Sequence, residues 1–153
     1  MSILVESEVK SKFKILFLCT GNSCRSQMAE GWAKTLHPDI FEVYSAGIET
    51  HGINPYAQKV MAEAGIDISN QKSQKAGEFS NLDLDYIITV CDHASENCPV
   101  FWNDKEMIHN SFPDPPKLAL DKENEEEKLD CYRMVRDKIK LYILDLPKKL
   151  NII

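Results

Sequence analysis

The chain has no apolar run of membrane-spanning length, no surplus of positive charge, no internal repeat and no linker-like segment. Each absence excludes something. A membrane helix needs about 20 consecutive apolar residues, and the longest apolar stretches here are only strand-sized, such as Phe13 to Leu18. Met1 to Lys12 carries just Ile3, Leu4 and Val5 beside Glu6, Glu8 and lysines, too little for a signal peptide. A cytoplasmic location is therefore expected. The formal net charge is -6, so no global field favours nucleic acid or an anionic membrane, and any anion must be held by a local feature. The five cysteines are odd in number, and no export signal accompanies them. Catalytic, metal or redox chemistry explains them better than structural disulfides.

What is present fits one domain: 153 residues, 43% hydrophobic and 27% charged. Residues 1–12 read as an extension and 13–153 as the domain. Phe13 to Leu18 predicts a strand buried on both faces. Met28, Ala29, Trp32, Ala33 and Leu36 follow a helical period from Ser26. Ile40 to Ser45 alternates like a strand. Asn54-Pro55 predicts a helix start, with Asn54 as N-cap and Pro55 at the first helical position, and Gly65 as its stop. Asp85 to Val90 predicts a third strand, and Glu106 to Asn110 a weaker fourth. A long helix runs from about Glu123 to Leu146, where Pro147 is expected to end it. The acidic run Glu123 to Glu127 then sits where the helix dipole favours negative charge. This order implies an α/β fold with a doubly wound four-stranded parallel sheet, because parallel strands need crossovers.

Between the first strand and first helix lies Cys19-Thr20-Gly21-Asn22-Ser23-Cys24-Arg25-Ser26. Its chemistry suits a tetrahedral oxyanion. Backbone N–H groups of a tight Gly/Asn turn can form a nest, the following helix adds partial positive charge, and Arg25 offers a two-pronged donor. Cys19 enters the same field, which favours a thiolate nucleophile. Cys24 reads as a buried residue inside the loop. Cys131, near the apolar stripe of the last helix, reads as core packing.

C-x5-R-S behind a buried N-terminal strand resembles the low-molecular-weight protein tyrosine phosphatase family. The longer strings CTGNSCRSQMAEGW and YSAGIETHGINP are similar to thioredoxin-coupled arsenate reductases built on that fold. The resemblance spans about Phe13 to Leu146. Gln27 departs from the family phosphatases, which usually have Pro there. The resemblance implies sheet order 2-1-3-4, a Ser26 hydrogen bond to the Cys19 sulfur, and a shape-holding role for Asn22.

It further implies that Cys91 and Cys98 are resolving thiols. Cys91 would attack the Cys19 sulfur of an arseno-adduct, and Cys98 would then take over the disulfide for reduction by thioredoxin, with no bound cofactor. A phosphatase needs neither thiol, so this pair separates a reductase from the alternative, a tyrosine phosphatase. Weak phosphatase activity is expected in either case, since arsenate, phosphate and sulfate are all tetrahedral oxyanions. On the residues alone, Cys91 and Cys98 could also be half a zinc site with His93 and His109, although C-x6-C is longer than the usual ligand pairs. Asp114, in Phe112-Pro113-Asp114-Pro115-Pro116, matches the family's general acid, and an environment that favours its protonated form is expected. Pro116 departs from the Ala common there. Some members hold potassium near the loop. The matching residues are Asn22, Glu30 and Ser45, but the further carboxylate aligns with Gln74, and that lost charge weakens a cation site. A monomer is expected.

Overall fold

In a computed structural model, residues 11–99, 102 and 105–153 are described. Most of the expected extension, residues 1–10, lies outside them. The elements are β1 (Phe13–Cys19), α1 (Arg25–Leu36), β2 (Phe41–Gly47), α2 (Pro55–Glu63), β3 (Tyr86–Thr89), α3 (Asp92–Glu96), β4 (Glu106–His109), α4 (Pro115–Leu118) and α5 (Glu125–Lys149). Short 3-10 turns cover Ala76–Phe79 and Ala119–Asp121.

The four strands form one parallel sheet in the order β2-β1-β3-β4, as the sequence implied. β1 is central, and Ile15 to Leu18 are fully buried, which is why that run carries no polar alternation. β4 is an edge strand, as is β2 on the other side, and the β4 side chains are mostly exposed. The register pairs Leu18 with both Ala46 and Thr89. The carboxyl ends of β1, β2 and β3 therefore finish level. At this edge the chain leaves β1 for α1 and leaves β3 for α3, so a crevice opens where strand order reverses.

α1 packs on β1 and β2, while α5 lies against α1, α2 and α4. Met28, Ala29 and Ala33 of α1 are buried, as are Leu129, Val135, Ile139 and Ile143 of α5. Burying such a side chain is worth about 1.5–3 kcal/mol each. Asn54 caps α2, accepting from Tyr56 N–H at 2.8 Å and Ala57 N–H at 3.2 Å, and Gly65 follows the helix at φ 86°. Both signals were legible beforehand.

Pro147 does not end α5, contrary to the expectation; the helix continues to Lys149. A proline inside a helix leaves the carbonyl four residues back without its usual N–H. Here that carbonyl belongs to Ile143, and His37 Nε2 donates to it at 2.8 Å. A side chain from beyond α1 replaces the missing backbone donor, so the helix survives.

Candidate active site

The loop Cys19–Arg25 is held from outside through its carbonyls. Ile48, Glu49, His51 and Asn54 donate their N–H groups to the carbonyls of Cys19, Thr20, Gly21 and Ser23, at 3.1, 2.9, 2.9 and 3.0 Å. The Asn22 carbonyl accepts from Gln27 Nε2 at 3.0 Å and Ser73 Oγ at 2.9 Å. With the carbonyls committed to the scaffold, the loop's N–H groups are left for an anion. Asn22 takes φ 48°, the left-handed turn that lets the chain curl. Close packing fixes the rest. A Cβ on Gly47 would come within 2.7 Å of Asn22 N, and one on Gly21 within 2.3 Å of the His51 ring.

Asn22 is fully buried, and its side chain locks the loop. Its Nδ2 donates to Ser26 Oγ at 2.8 Å and to Ser45 Oγ at 3.0 Å, and its Oδ1 accepts from Gln74 N–H at 2.7 Å. Ser26 Oγ lies 2.8 Å from Cys19 Sγ. Because that oxygen already accepts from Asn22, its own proton is free for the sulfur, an arrangement that suits a thiolate.

The loop lines a cavity of about 330 Å³ together with His51, Asp114 and Pro116. Arg25 enters it with Nη1 donating to the Phe112 carbonyl at 3.0 Å and Nη2 3.8 Å from Asp114 Oδ1. Asp114 precedes α4 but makes no capping bond to it, so its carboxyl stays turned to the cavity. Arg25 is its ion-pair partner. Cys24 is buried beside Cys19. Desolvation, reinforced by the Cys19 charge and opposed by Arg25, pushes its thiol well above the ordinary range. Cys24 is thus a neutral packing residue, as the loop pattern suggested. Burial also pushes the Tyr132 hydroxyl up to about 12, opposed by its hydrogen bond with Asn54 and reinforced by the charge of Asp114.

Cys91 begins α3 and is buried. Its Sγ accepts from Ala94 N–H at 3.4 Å and lies 3.3 Å from Thr20 Oγ1. Cys91 therefore meets the anion loop itself. Cys98 does not. It is half-buried in a separate cavity of about 370 Å³ with Trp102, Met107 and His109, its Sγ 4.0 Å from Met107 Sδ. Burial pushes the Cys98 thiol up as well. All five cysteines are free thiols. Cys131 is half-buried on α5, its thiol directed at the Glu127 carbonyl 3.5 Å away.

Among the described residues no group of three or more His, Cys, Asp or Glu side chains could hold a metal ion. The zinc alternative is dispersed. His93 Nδ1 is 3.1 Å from Thr20 Oγ1, whereas His109 sits between Asp92 and Thr89, at 2.9 and 2.7 Å. The residues matched to the potassium positions adjoin one another: Asn22 turns its amide nitrogen toward Ser45, Ser45 donates to Glu30 at 2.5 Å, and the other Glu30 oxygen pairs with Lys34. Gln74 points its amide toward Glu78 at 3.5 Å.

The sequence reading missed Lys34, His51 and a link from His93 to Thr20. Glu30 and Lys34, four apart on one helix, carried a pairing signal; the two histidines carried none.

A thiol ending the first strand, a carbonyl-anchored loop behind it and an arginine aimed into the same cavity define an enzyme class that attacks tetrahedral oxyanions through cysteine. The family model for low molecular weight phosphotyrosine protein phosphatase matches residues 14–151, and the chain belongs to that family. Within it, the chain is 50% identical over 129 residues to an arsenate reductase of Halalkalibacterium halodurans, covering 84% of this chain and 91% of that one. It is 49% identical over 125 residues to an arsenate reductase of Bacillus subtilis, covering 82% and 88%. A solved arsenate reductase in the phosphate binding state superposes with TM-score 0.71 at 36% identity, covering 90% of this chain and 98% of that one.

Proposed function

We propose that the chain reduces arsenate to arsenite, with Cys19 as nucleophile and Cys91 and Cys98 as the thiols that supply and pass on the electrons. The observation that carries the reading is the 3.3 Å approach of Thr20 Oγ1 to Cys91 Sγ, which brings a second thiol to the loop that begins at Cys19. The arsenate reductases named above support the choice of oxyanion.

Arsenate is bound by the loop N–H groups from Thr20 to Ser26 and by the Arg25 fork. The Cys19 thiolate forms an S–As bond, and an arsenate oxygen departs as water, protonated by Asp114. Cys91 then attacks the Cys19 sulfur. The S–S bond forms, the S–As bond breaks, and the bonding pair stays with arsenic, so As(V) becomes As(III) while two thiols become a disulfide. Cys98 attacks Cys91 and frees Cys19, and an external dithiol, thioredoxin, reduces the Cys91–Cys98 bond by exchange. No bound cofactor or metal ion enters any step.

A second reading, phosphotyrosine or aryl phosphate hydrolysis, needs only Cys19, Arg25 and Asp114, which the same loop supplies; slow phosphatase turnover is expected beside the reductase. The test is arsenate-dependent NADPH oxidation with thioredoxin and thioredoxin reductase. Wild type turns over, and Cys91→Ser, Cys98→Ser and Cys19→Ser do not. Equal turnover in wild type, Cys91→Ser and Cys98→Ser would refute the relay. Rapid p-nitrophenyl phosphate hydrolysis without arsenate turnover would establish the phosphatase instead.

A further inference from the structure

The step that decides the reaction needs Cys91 as a thiolate, yet Cys91 is buried. Its side-chain hydrogen-bond partner is a hydroxyl. Thr20 Oγ1 lies 3.3 Å from Cys91 Sγ and, on its other side, 3.1 Å from His93 Nδ1. A hydroxyl both donates and accepts, so the three groups form one unbroken proton path: thiol, hydroxyl, imidazole.

We propose that His93 is the residue that ionises Cys91, acting through the Thr20 hydroxyl. The Cys91 S–H proton passes to Thr20 oxygen as the Thr20 O–H proton passes to His93 Nδ1, leaving a thiolate and an imidazolium. This requires the neutral ring to carry its proton on Nε2. The thiolate keeps two donors, Thr20 O–H and Ala94 N–H, the latter at 3.4 Å. His93 touches no reacting atom and is a positioning residue. The assignment rests on the relay proposed above and deepens it, because it makes readiness of the second thiol a property of the oxyanion loop itself.

The charges around this corner are compatible with the transfer. Arg25 and Lys117, which share the groove with Cys91 and His93, favour the thiolate. Asp114 lines the same groove, with Arg25 3.8 Å away. Asp92, beside His93 in the chain, is turned away onto His109 at 2.9 Å. Glu49 faces His93 from the segment after β2. Its carboxyl is held below the ordinary carboxylate range, first by the His51 hydrogen bond and also by the His51 and His93 charges, so it favours the imidazolium.

Two measurements on the reduced full-length protein test the assignment. The first needs no arsenate: methyl methanethiosulfonate, small enough for a buried site, labels Cys91, and peptide mass spectrometry follows the rate from pH 6 to 9.5. His93→Gln keeps a hydrogen-bonding amide but cannot take up a proton. It should slow labelling about tenfold or more at pH 6.5, with rates converging toward pH 9.5, where a thiol ionises unaided. Thr20→Val should do the same, and Thr20→Ser should restore the wild-type profile. Identical profiles in wild type and His93→Gln overturn the proposal. A slowing that is equal at every pH also overturns it, since that marks access rather than proton transfer.

The second measurement follows Cys19–Cys91 disulfide formation after arsenate addition in a Cys98→Ser background. His93→Gln should delay the disulfide at low pH and not at high pH. If that disulfide never forms while labelling behaves as stated, the arsenate reading fails and the role of His93 stands.

Discussion

Replacing Asn22 with Ala should do more damage than its position in a loop suggests. The side chain makes three buried hydrogen bonds, to Ser26 Oγ at 2.8 Å, Ser45 Oγ at 3.0 Å and from Gln74 N–H at 2.7 Å. Truncation leaves their partners unpaired at a fully buried position. At about 1–1.5 kcal/mol for each lost bond the loss is roughly 3–4 kcal/mol. Alanine must also adopt φ 48°, which it tolerates less well than asparagine. A loss of about 3–4 kcal/mol or somewhat more is a large share of the roughly 5–15 kcal/mol that a domain possesses. Asn22→Gly removes the bonds but not the permitted backbone, and should recover about 1 kcal/mol. Urea denaturation of the reduced proteins at pH 7 gives both numbers. The chemistry should fail separately. Without Asn22, the Ser26 hydroxyl loses the donor that orients its proton toward Cys19, so Cys19 alkylation should slow in whatever fraction remains folded. An Asn22→Ala protein within about 1 kcal/mol of wild type would refute the reasoning, because no reading of three buried hydrogen bonds allows it.

Above pH 9 the unfolded chain ionises Cys24 while the fold keeps it neutral, so stability must fall as pH rises; the slope from this one group is up to about 1.4 kcal/mol per pH unit. Cys24→Ala should flatten the alkaline limb in denaturation curves from pH 8 to 10.5, and an unchanged limb would contradict the burial argument. Gly47→Ala puts a methyl 2.3 Å from the Glu49 carbonyl and 2.7 Å from Asn22 N, so it should cost about 1–3 kcal/mol and weaken phosphate binding by isothermal titration; unaltered binding would show that the loop can yield there. His37→Ala should cost about 1–3 kcal/mol in the wild-type helix by orphaning the Ile143 carbonyl. It should cost measurably less in a Pro147→Ala background, where a backbone N–H returns. Additive effects in that double-mutant cycle would sink the explanation of the unbroken helix.

Much of this was readable in the chain because local rules and tertiary demands agree. Ile15 to Leu18 have no polar alternation because both faces of β1 are covered, and Asn54-Pro55 states its cap in two residues. The loop from Cys19 to Ser26 announces its chemistry through residue types alone. What stayed hidden depends on partners distant in sequence. Pro147 obeys the local rule for stopping a helix, and only His37, far away in the chain, overrides it. Thr20 meets His93 across 73 positions, a contact fixed by the pairing of β1 with β3 and invisible to spacing. Glu30 has two partners, Lys34 one turn along and Ser45 on β2, and only the first follows from spacing. Cys98 shares a short segment with Cys91, yet α3 sends it into another cavity.

That last separation has a mechanical consequence. Cys91 and Cys98 bracket α3, which occupies Asp92–Glu96. Cys91 enters the helix in extended backbone, and Cys98 leaves it for another cavity. A disulfide tolerates Cα atoms no more than about 6.8 Å apart, so linking these two sulfurs would require the segment between them to rearrange, at the expense of the Asn97 N–H bond to the His93 carbonyl, 3.1 Å long. Under the proposed relay, the oxidised chain would differ from the reduced one in surface shape at this corner, a difference an external dithiol could read.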